Sequence, residues 1–206
     1  FYNKDLFDKF GVSYPTDGMT WDEAIELGRR MTRSEDGIQY VGLSSSKEHQ
    51  IRMNALSVPL VDPDTGKATI NTDDRWRTIF TKGLFEPYDD RGYREEIKSS
   101  LPFRSWFYRT KILAMMVYLS FLPANEPGPM SEMNWDMVSE PYYVERPGVS
   151  SQVYPTYFSI MSSSRHKDEA MQAIQVLISE EHQSFLSRQG QMPVHTDEQI
   201  KEVLGR

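Results

Sequence analysis

The side chains of this sequence that are best suited to contact a ligand are aromatic. Aromatic residues make up 12% of the 206 residues. Several of them fall in predicted loops or at the ends of predicted strands: Tyr2, Tyr118, Phe121, Tyr142, Tyr143, Tyr154 and Tyr157. A flat aromatic face, with the hydroxyl that tyrosine adds at its edge, can hold a polyhydroxylated ring without reacting with it. Each of these residues taken alone fits core packing better, but as a group they predict a binding cleft.

The sequence lacks the residue patterns that catalysis requires. Neighbouring carboxylates on a helix point about 100° apart, so they do not converge on one bond as a glycosidase pair must. Four such pairs occur, at Asp73-Asp74, Asp89-Asp90, Glu95-Glu96 and Glu180-Glu181. The four histidines form no motif of two histidines one helical turn apart, and there is no Gly-rich phosphate loop or nucleophile elbow. We therefore predict no catalytic residue and no cofactor.

Charge and composition exclude further classes of function. Lys and Arg number 23 against 30 Asp and Glu, which gives a formal charge of −7 without a basic cluster, and we predict no nucleic-acid partner. The absence of cysteine excludes disulfide scaffolds and thiolate chemistry. The longest apolar run, at 112–122, is too short to span a bilayer. The loop at 62–67 has Gly66 where a calcium-binding EF-hand needs an oxygen ligand, so it predicts a hairpin turn and no metal site.

The elements that must position these side chains alternate between helix and strand. Thr20 and Glu23 form a capping box before an amphipathic helix that runs to Met31. A strand over 38–43 follows, and the continuous apolar run at 112–118 predicts a strand buried on both faces, as in a parallel sheet covered by helices. The fold class is therefore α/β. Because open α/β sheets bind ligands beyond the carboxyl ends of their strands, we expect the cleft there.

Periodic segments predict the remaining elements of the chain. Helices are expected at 49–56, from Thr72 to Gly83, at 91–100 and 103–111, from a cap at Ser164 to 178, from Ser179 to Gly190, and from Thr196 onward. Two further strands are expected at 135–138 and 157–161.

Four ordered segments of the chain resemble one family of transport proteins. The first comprises residues 2–11 (YNKDLFDKFG) with the TWDE helix start at 20–23, and the second comprises residues 111–117, which resemble a GK-x-AM strand but have Thr110 in place of its Gly. The third runs over 159–183, and the fourth is a G-x-x-P-V turn at 190–194. Together these segments resemble the extracellular solute-binding proteins of ABC importers, the family that includes maltose-binding protein.

The resemblance implies a fold and a domain organisation. The expected fold is a lobe of the periplasmic-binding-protein type (type II), a sheet covered by helices, with part of a second lobe. Residues 1–140 would form the C-terminal lobe, 141–192 a hinge crossing and part of the N-terminal lobe, and 193–206 a return segment with a terminal helix. Most of the N-terminal lobe and an export signal, often with a lipid anchor, are expected outside this chain. The partial second lobe should then expose an apolar face.

The resemblance also implies ligand-binding positions and partners. By position in the family pattern, the expected ligand-binding residues are Tyr2, Tyr118, Ser120, Phe121, Tyr154 and Tyr157. Phe121 stands where sugar-binding members commonly present a tryptophan. The implied function is that of an extracellular or cell-surface protein, lipid-anchored or periplasmic, that captures a solute, expected to be a sugar or oligosaccharide, by hinge closure and delivers it to a membrane permease. Two alternatives stay open: an enzyme that acts on carbohydrate, and an interaction module that contacts a permease.

Overall fold

A computed structural model describes residues 1–88, 104–153 and 157–189 of the chain. Within these ranges, no helix combines the length and the apolarity that crossing a bilayer takes. The predicted helices at 91–100 and from Thr196, the turn at 190–194 and the predicted contact residue Tyr154 lie outside the described residues.

The chain divides into two compact units. Unit 1 consists of Phe1–Tyr118 and Pro129–Val153, and unit 2 consists of Leu119–Gly128 and Tyr154–Arg206. The assignment of residues 1–140 and 141–192 to two lobes of a larger protein stays a prediction.

One five-stranded sheet forms the centre of unit 1. The strands are β1 (Tyr2–Asn3), β2 (Arg33–Glu35), β3 (Ile38–Ser45), β4 (Leu113–Val117) and β5 (Trp135–Asp136). Their order across the sheet is β2-β3-β4-β1-β5. Strands β3 and β4 are parallel, and the other pairs are antiparallel. The buried parallel strand predicted at 112–118 is therefore confirmed as β4, whose first four residues are all buried.

Helices flank the sheet and continue into unit 2. In chain order they are α1 (Lys4–Phe10), α2 (Trp21–Met31), α3 (Lys47–Arg52), α4 (Arg75–Phe80), α5 (Arg104–Tyr108), α6 (Leu122–Asn125), α7 (Pro127–Ser131), α8 (Lys167–Leu177) and α9 (Glu180–Arg188). A π-helical turn at Thr81–Phe85 and a 3₁₀ turn at Glu86–Tyr88 continue α4. The apolar side chains of α1, α2 and α4 pack with the sheet into one core, whose largest members include Phe7, Trp21, Ile25 and Trp76.

Helix α2 begins with the predicted capping box. The Thr20 hydroxyl accepts the N–H of Glu23 at 3.2 Å, and the Thr20 N–H donates to the Glu23 carboxylate at 2.7 Å. The helix then packs so closely on β3 that a Cβ atom added to Gly42 would lie 1.7 Å from the carbonyl oxygen of Gly28. Two glycines thus set the distance between α2 and the sheet.

The capping box makes part of the stability depend on pH. The N–H of Thr20, followed by its hydroxyl, holds the pKa of Glu23 below its ordinary value. Because the folded-state pKa is the lower one, this stabilisation is complete above the ordinary carboxyl pKa of about 4.3 and is lost as pH falls through the lowered value. In urea titrations, Glu23→Gln should therefore be less stable than the parent at neutral pH and approach it in acid. The control is Glu26→Gln on the same helix, and a Glu23→Gln deficit that persists at the lowest pH would contradict the prediction.

Three predicted features differ from the structure. The helix expected to end at Gly83 continues through this residue, because Gly83 does not adopt the positive φ that ends helices. Its small size instead makes room for Tyr143, whose hydroxyl lies 3.2 Å from the place that a Cβ atom would occupy at Gly83. Ser164 does not cap α8, which begins three residues later, since the Ser164 hydroxyl accepts the N–H of His166 before the helix. The strand expected at 157–161 is wrong: these residues form no strand, and the described part of unit 2 contains no other strand with which they could pair.

The helices and surface of unit 2 bear out two other predictions. Ser179 caps α9 by accepting the N–H of His182 at 3.3 Å. Helix α8 contains no buried residue, and large apolar side chains of unit 2 are exposed, among them Met161, Met171, Val176, Ile178 and Phe185. Exposed apolar side chains are therefore present on the described part of unit 2, as expected, and their grouping into the face of a partial lobe stays a prediction.

Candidate functional site

The carboxyl ends of β3 and β4 lie side by side at one edge of the sheet. Ser45 is paired with Val117, and the Ser46 N–H donates to the Val117 carbonyl at 3.3 Å. Helix α3 follows β3 at once, and Tyr118 follows β4, so the topology brings side chains of both connections to the same edge. This is the edge at which open α/β sheets bind ligands.

Three side chains meet at this edge. The rings of His49, in α3, and Tyr118 lie 5.4 Å apart between centroids and are tilted by 53°. The guanidinium carbon of Arg104, at the start of α5, lies 5.6 Å from the centroid of the Tyr118 ring, within cation–π distance. His49 and Tyr118 are half-buried and Arg104 is exposed. We call His49, Arg104 and Tyr118 the edge cluster.

Burial decides the protonation of His49. Desolvation lowers the pKa of His49 below its ordinary value of about 6.5, and the charge of Arg52 lowers it further, against the opposing charges of Glu48 and Glu140. The imidazole is therefore neutral at pH 7. In that state one ring nitrogen donates a hydrogen bond and the other accepts one, which suits hydroxyl groups of either polarity.

A buried polar network fixes α3, and with it His49. Gln50, which is buried, donates from Nε2 to Glu140 Oε1 at 2.9 Å. The second oxygen of Glu140 accepts the Ser151 N–H at 3.0 Å, and the N–H of Gln152 donates to the carbonyl of Met53 at 2.8 Å. Glu140 is thus bonded to α3, and Gln152, in the segment 141–192, is bonded to Met53 directly after that helix.

The structure places the predicted contact residues in different environments. Tyr2 is only 6% exposed, with its ring between Phe7 and Tyr14 and its hydroxyl 3.4 Å from Asp136 Oδ2. Tyr118 belongs to the edge cluster. In unit 2, Ser120 and Tyr157 are exposed and Phe121 is half-buried before α6. Of the predicted residues, only Tyr2 and Tyr118 therefore lie in unit 1, and their roles as ligand contacts stay predictions.

No pattern in the sequence identifies His49 or Arg104 as a candidate contact residue. His49 lies in the first turn of the helix after β3. Because the predicted strand ends at residue 43 and β3 continues to Ser45, the sequence does not show that His49 lies at the sheet edge. Arg104 begins a short helix, and nothing in the local sequence connects that helix to Tyr118. A rule that inspects the first turn after each predicted parallel strand would have found His49.

Other surface features of unit 1 involve none of the predicted contact residues. One groove of about 500 Å³ lies between α2 and the loop that contains Tyr14 and Met19, and another of about 370 Å³ lies beside Arg75 and Arg146. The described residues hold no group of three His, Asp or Glu side chains that could bind a metal ion. The loop after Asp62 is a hairpin turn, as predicted, with the Asp62 carboxylate accepting two backbone N–H groups.

Comparison with known proteins assigns this arrangement to a family and a fold. The sequence pattern of the family described as bacterial extracellular solute-binding protein matches residues 1–184. No curated protein matches the chain.

Three solved structures share the fold at low identity. An ABC substrate-binding protein from Listeria monocytogenes, in complex with cycloalternan, is 19% identical with a TM-score of 0.70, over 98% of this chain and 52% of its own. A sugar transporter from Rhizobium etli in an open conformation is 20% identical with a TM-score of 0.62, over 99% and 52%. A solute-binding protein of an ABC transporter from Thermotoga lettingae, bound with α-D-tagatose, is 18% identical with a TM-score of 0.59, over 98% and 53%.

These likenesses concern the fold. They confirm the predicted α/β class and its relation to the periplasmic-binding-protein fold. The chain spans about half the length of each of the three structures it matches.

Proposed function

Because the chain belongs to the bacterial extracellular solute-binding protein family, we propose that it is part of the component of an ABC importer that captures a solute outside the cell. The solute is a sugar or oligosaccharide. This part of the proposal is supported by the proteins of similar fold, which are described as holding cycloalternan or α-D-tagatose or as a sugar transporter. Binding rather than catalysis is the activity proposed.

The observation that carries the proposal is the edge cluster at the carboxyl ends of two parallel strands. Tyr118 supplies an aromatic ring, neutral His49 packs against that ring with its Nδ1 buried, and Arg104 supplies several donors. Such groups bind the hydroxyls and the apolar faces of a sugar ring. None of the three is an activated nucleophile or one of a pair of facing carboxylates, and a glycosidase needs such a pair.

The mechanism proposed for the whole protein is hinge closure. One lobe, formed by residues 1–140, contacts the solute through Tyr2 and Tyr118, and the other lobe, to which 141–192 contribute, closes over it with Tyr154 and Tyr157. Ser120 and Phe121 complete the contact set. The closed state is populated only as far as solute contacts favour it over the open state, so the solute itself drives closure. The closed form then delivers the unchanged solute to the membrane permease at the cell surface, where the protein is lipid-anchored or periplasmic.

Titration calorimetry of the full-length protein against a panel of monosaccharides and oligosaccharides tests the proposal. We expect one sugar to bind with a Kd of about 1 μM or lower, which corresponds to about −8 kcal/mol. Chromatography of the same mixture after long incubation should recover the sugar unchanged. Hydrolysis of the sugar would support the carbohydrate-active enzyme instead. Binding to permease subunits, with no sugar bound at any concentration, would support the interaction module.

A further inference from the structure

Arg104 is the one member of the edge cluster that is charged at pH 7, and its guanidinium packs against the ring of Tyr118. Its guanidinium lies over Tyr118 at 5.6 Å. Across residues 1–88, 104–153 and 157–189, no carboxylate lies within ion-pair distance of Arg104. Among these residues, therefore, no ion pair neutralises its charge, and its guanidinium carries five N–H donors.

The acidic groups nearest to His49 do not take over this role. Glu140 already accepts hydrogen bonds from the side chain of Gln50 and from the N–H of Ser151. Glu48 lies on the exposed side of α3. His49 itself is neutral at pH 7, because burial lowers its pKa. Within the part of the chain that the structure describes, the edge cluster therefore holds one positive charge beside an aromatic ring with no carboxylate paired to it.

This arrangement favours one kind of sugar over another. A neutral pyranose that stacked on the face of Tyr118 under Arg104 would have to displace the guanidinium and lose the cation–π contact. The carboxylate of an acidic sugar can instead accept two parallel hydrogen bonds from the planar guanidinium of Arg104 without displacing it from Tyr118. Tyr118 then holds Arg104 in place in addition to its proposed contact with the solute.

We propose that the edge cluster selects an acidic sugar, one whose ring carries a carboxylate as in a uronic acid. The inference rests on the proposed function and narrows its substrate class. Arg104 binds the carboxylate, and Tyr118, which His49 contacts, positions the guanidinium.

Paired disaccharides that differ only at C6 test the selection. Each pair consists of a glucuronate, galacturonate or mannuronate disaccharide and its counterpart with a neutral hydroxymethyl group. In titration calorimetry of the full-length protein, the acidic member of at least one pair should bind about tenfold more tightly or better, a difference of about 1.4 kcal/mol. That preference should weaken as the ionic strength is raised, because salt screens the charge pair.

Variants of two arginines make the test specific. Arg104→Gln should abolish the preference for the acidic member, and Arg104→Lys should restore only part of it, because lysine keeps the charge but not the planar fork. The matched control is Arg109→Gln, in the same region, whose guanidinium lies 5.9 Å from the ring of Tyr108. It should keep the full preference. Thermal melting of each variant reports whether it is folded.

The outcomes separate this inference from the function on which it rests. If neutral sugars bind as tightly as their acidic partners, or more tightly, the inference is overturned and the proposed function stands. If acidic sugars are preferred and Arg104→Gln keeps the preference, the role of Arg104 is overturned. If no sugar of either kind binds, the proposed function falls, and the inference falls with it.

Discussion

Replacing Gly42 with alanine is expected to unfold unit 1. The added Cβ would lie 1.7 Å from the carbonyl oxygen of Gly28 and 2.4 Å from its carbonyl carbon. Both are backbone atoms of α2, so no change of rotamer relieves the overlap. The helix must move away from β3 and from the core that it covers, which includes Trp21 and Ile25. We expect a loss of more than about 4 kcal/mol in the free energy of unfolding, at the upper end of what single substitutions cost.

Alanine substitutions at two further glycines, measured in the same denaturation series, provide a comparison for Gly42→Ala. At Gly28 the Cβ would meet the Leu43 side chain at 2.9 Å and the Leu43 backbone N at 3.4 Å, so Gly28→Ala should cost less than Gly42→Ala. At Gly128, in α7, no atom lies within 4 Å of the Cβ position and φ is not positive, so Gly128→Ala should not destabilise the protein and should add about 0.4–1 kcal/mol, because alanine restricts the unfolded chain. Urea titrations followed by tryptophan fluorescence measure all three. Equal stability of the three variants would contradict the close approach of α2 to β3.

Local patterns in the sequence were sufficient to predict some elements of unit 1, although not β1, α1 or β2. Thr20 and Glu23 are three residues apart, and their bonds form wherever that helix begins, so the start of α2 could be predicted without knowledge of its neighbours. The apolar run at 112–118 predicted a buried parallel strand because a strand covered on both faces has no polar positions. Both predictions depend on a few consecutive residues.

Contacts between distant segments could not be predicted in this way. Gly28 and Gly42 are ordinary in their local sequence, and only the packing of α2 on β3 shows why neither can carry a larger side chain. Gly83 predicts the end of a helix, since glycine often ends helices. In the structure it instead allows Tyr143, about sixty residues away in the chain, to approach closely. Non-local packing decided each of these positions.

The residues of the candidate site also differ in whether the local sequence or the tertiary fold determines their position. Tyr118 was predicted because it directly follows a recognisable strand, and the family resemblance assigned it a contact role. Arg104 meets it from another part of the chain, so its position depends on the tertiary fold. The family pattern also assigns a contact role to Tyr2, which stays a prediction, and only the structure shows that within unit 1 its ring packs against Phe7 and Tyr14. A residue's place in a pattern does not specify how much of its ring stays open.

Tyr118→Ala is expected to lower solute affinity of the full-length protein about 30-fold, or about 2 kcal/mol, the effect of truncating an aromatic anchor at the centre of a binding surface. The substitution removes the ring that contacts His49 and positions Arg104. Because Tyr118 is only half-buried, the melting temperature should fall by no more than a few degrees. Titration calorimetry with the sugar that binds the parent protein, together with thermal melting, measures both quantities.

Phe10→Ala supplies the matched control for Tyr118→Ala. Phe10 is also a half-buried ring of unit 1 with an arginine above it, since the guanidinium carbon of Arg33 lies 4.2 Å from its centroid and Tyr40 contacts it at 5.1 Å. Its removal should cost similar stability and leave solute affinity unchanged. Equal affinity losses in the two variants would mean that Tyr118 acts only through general stability. A collapse of the fold in Tyr118→Ala would mean that its ring belongs to the core, and the carboxyl edge of β3 and β4 would then lose its aromatic contact.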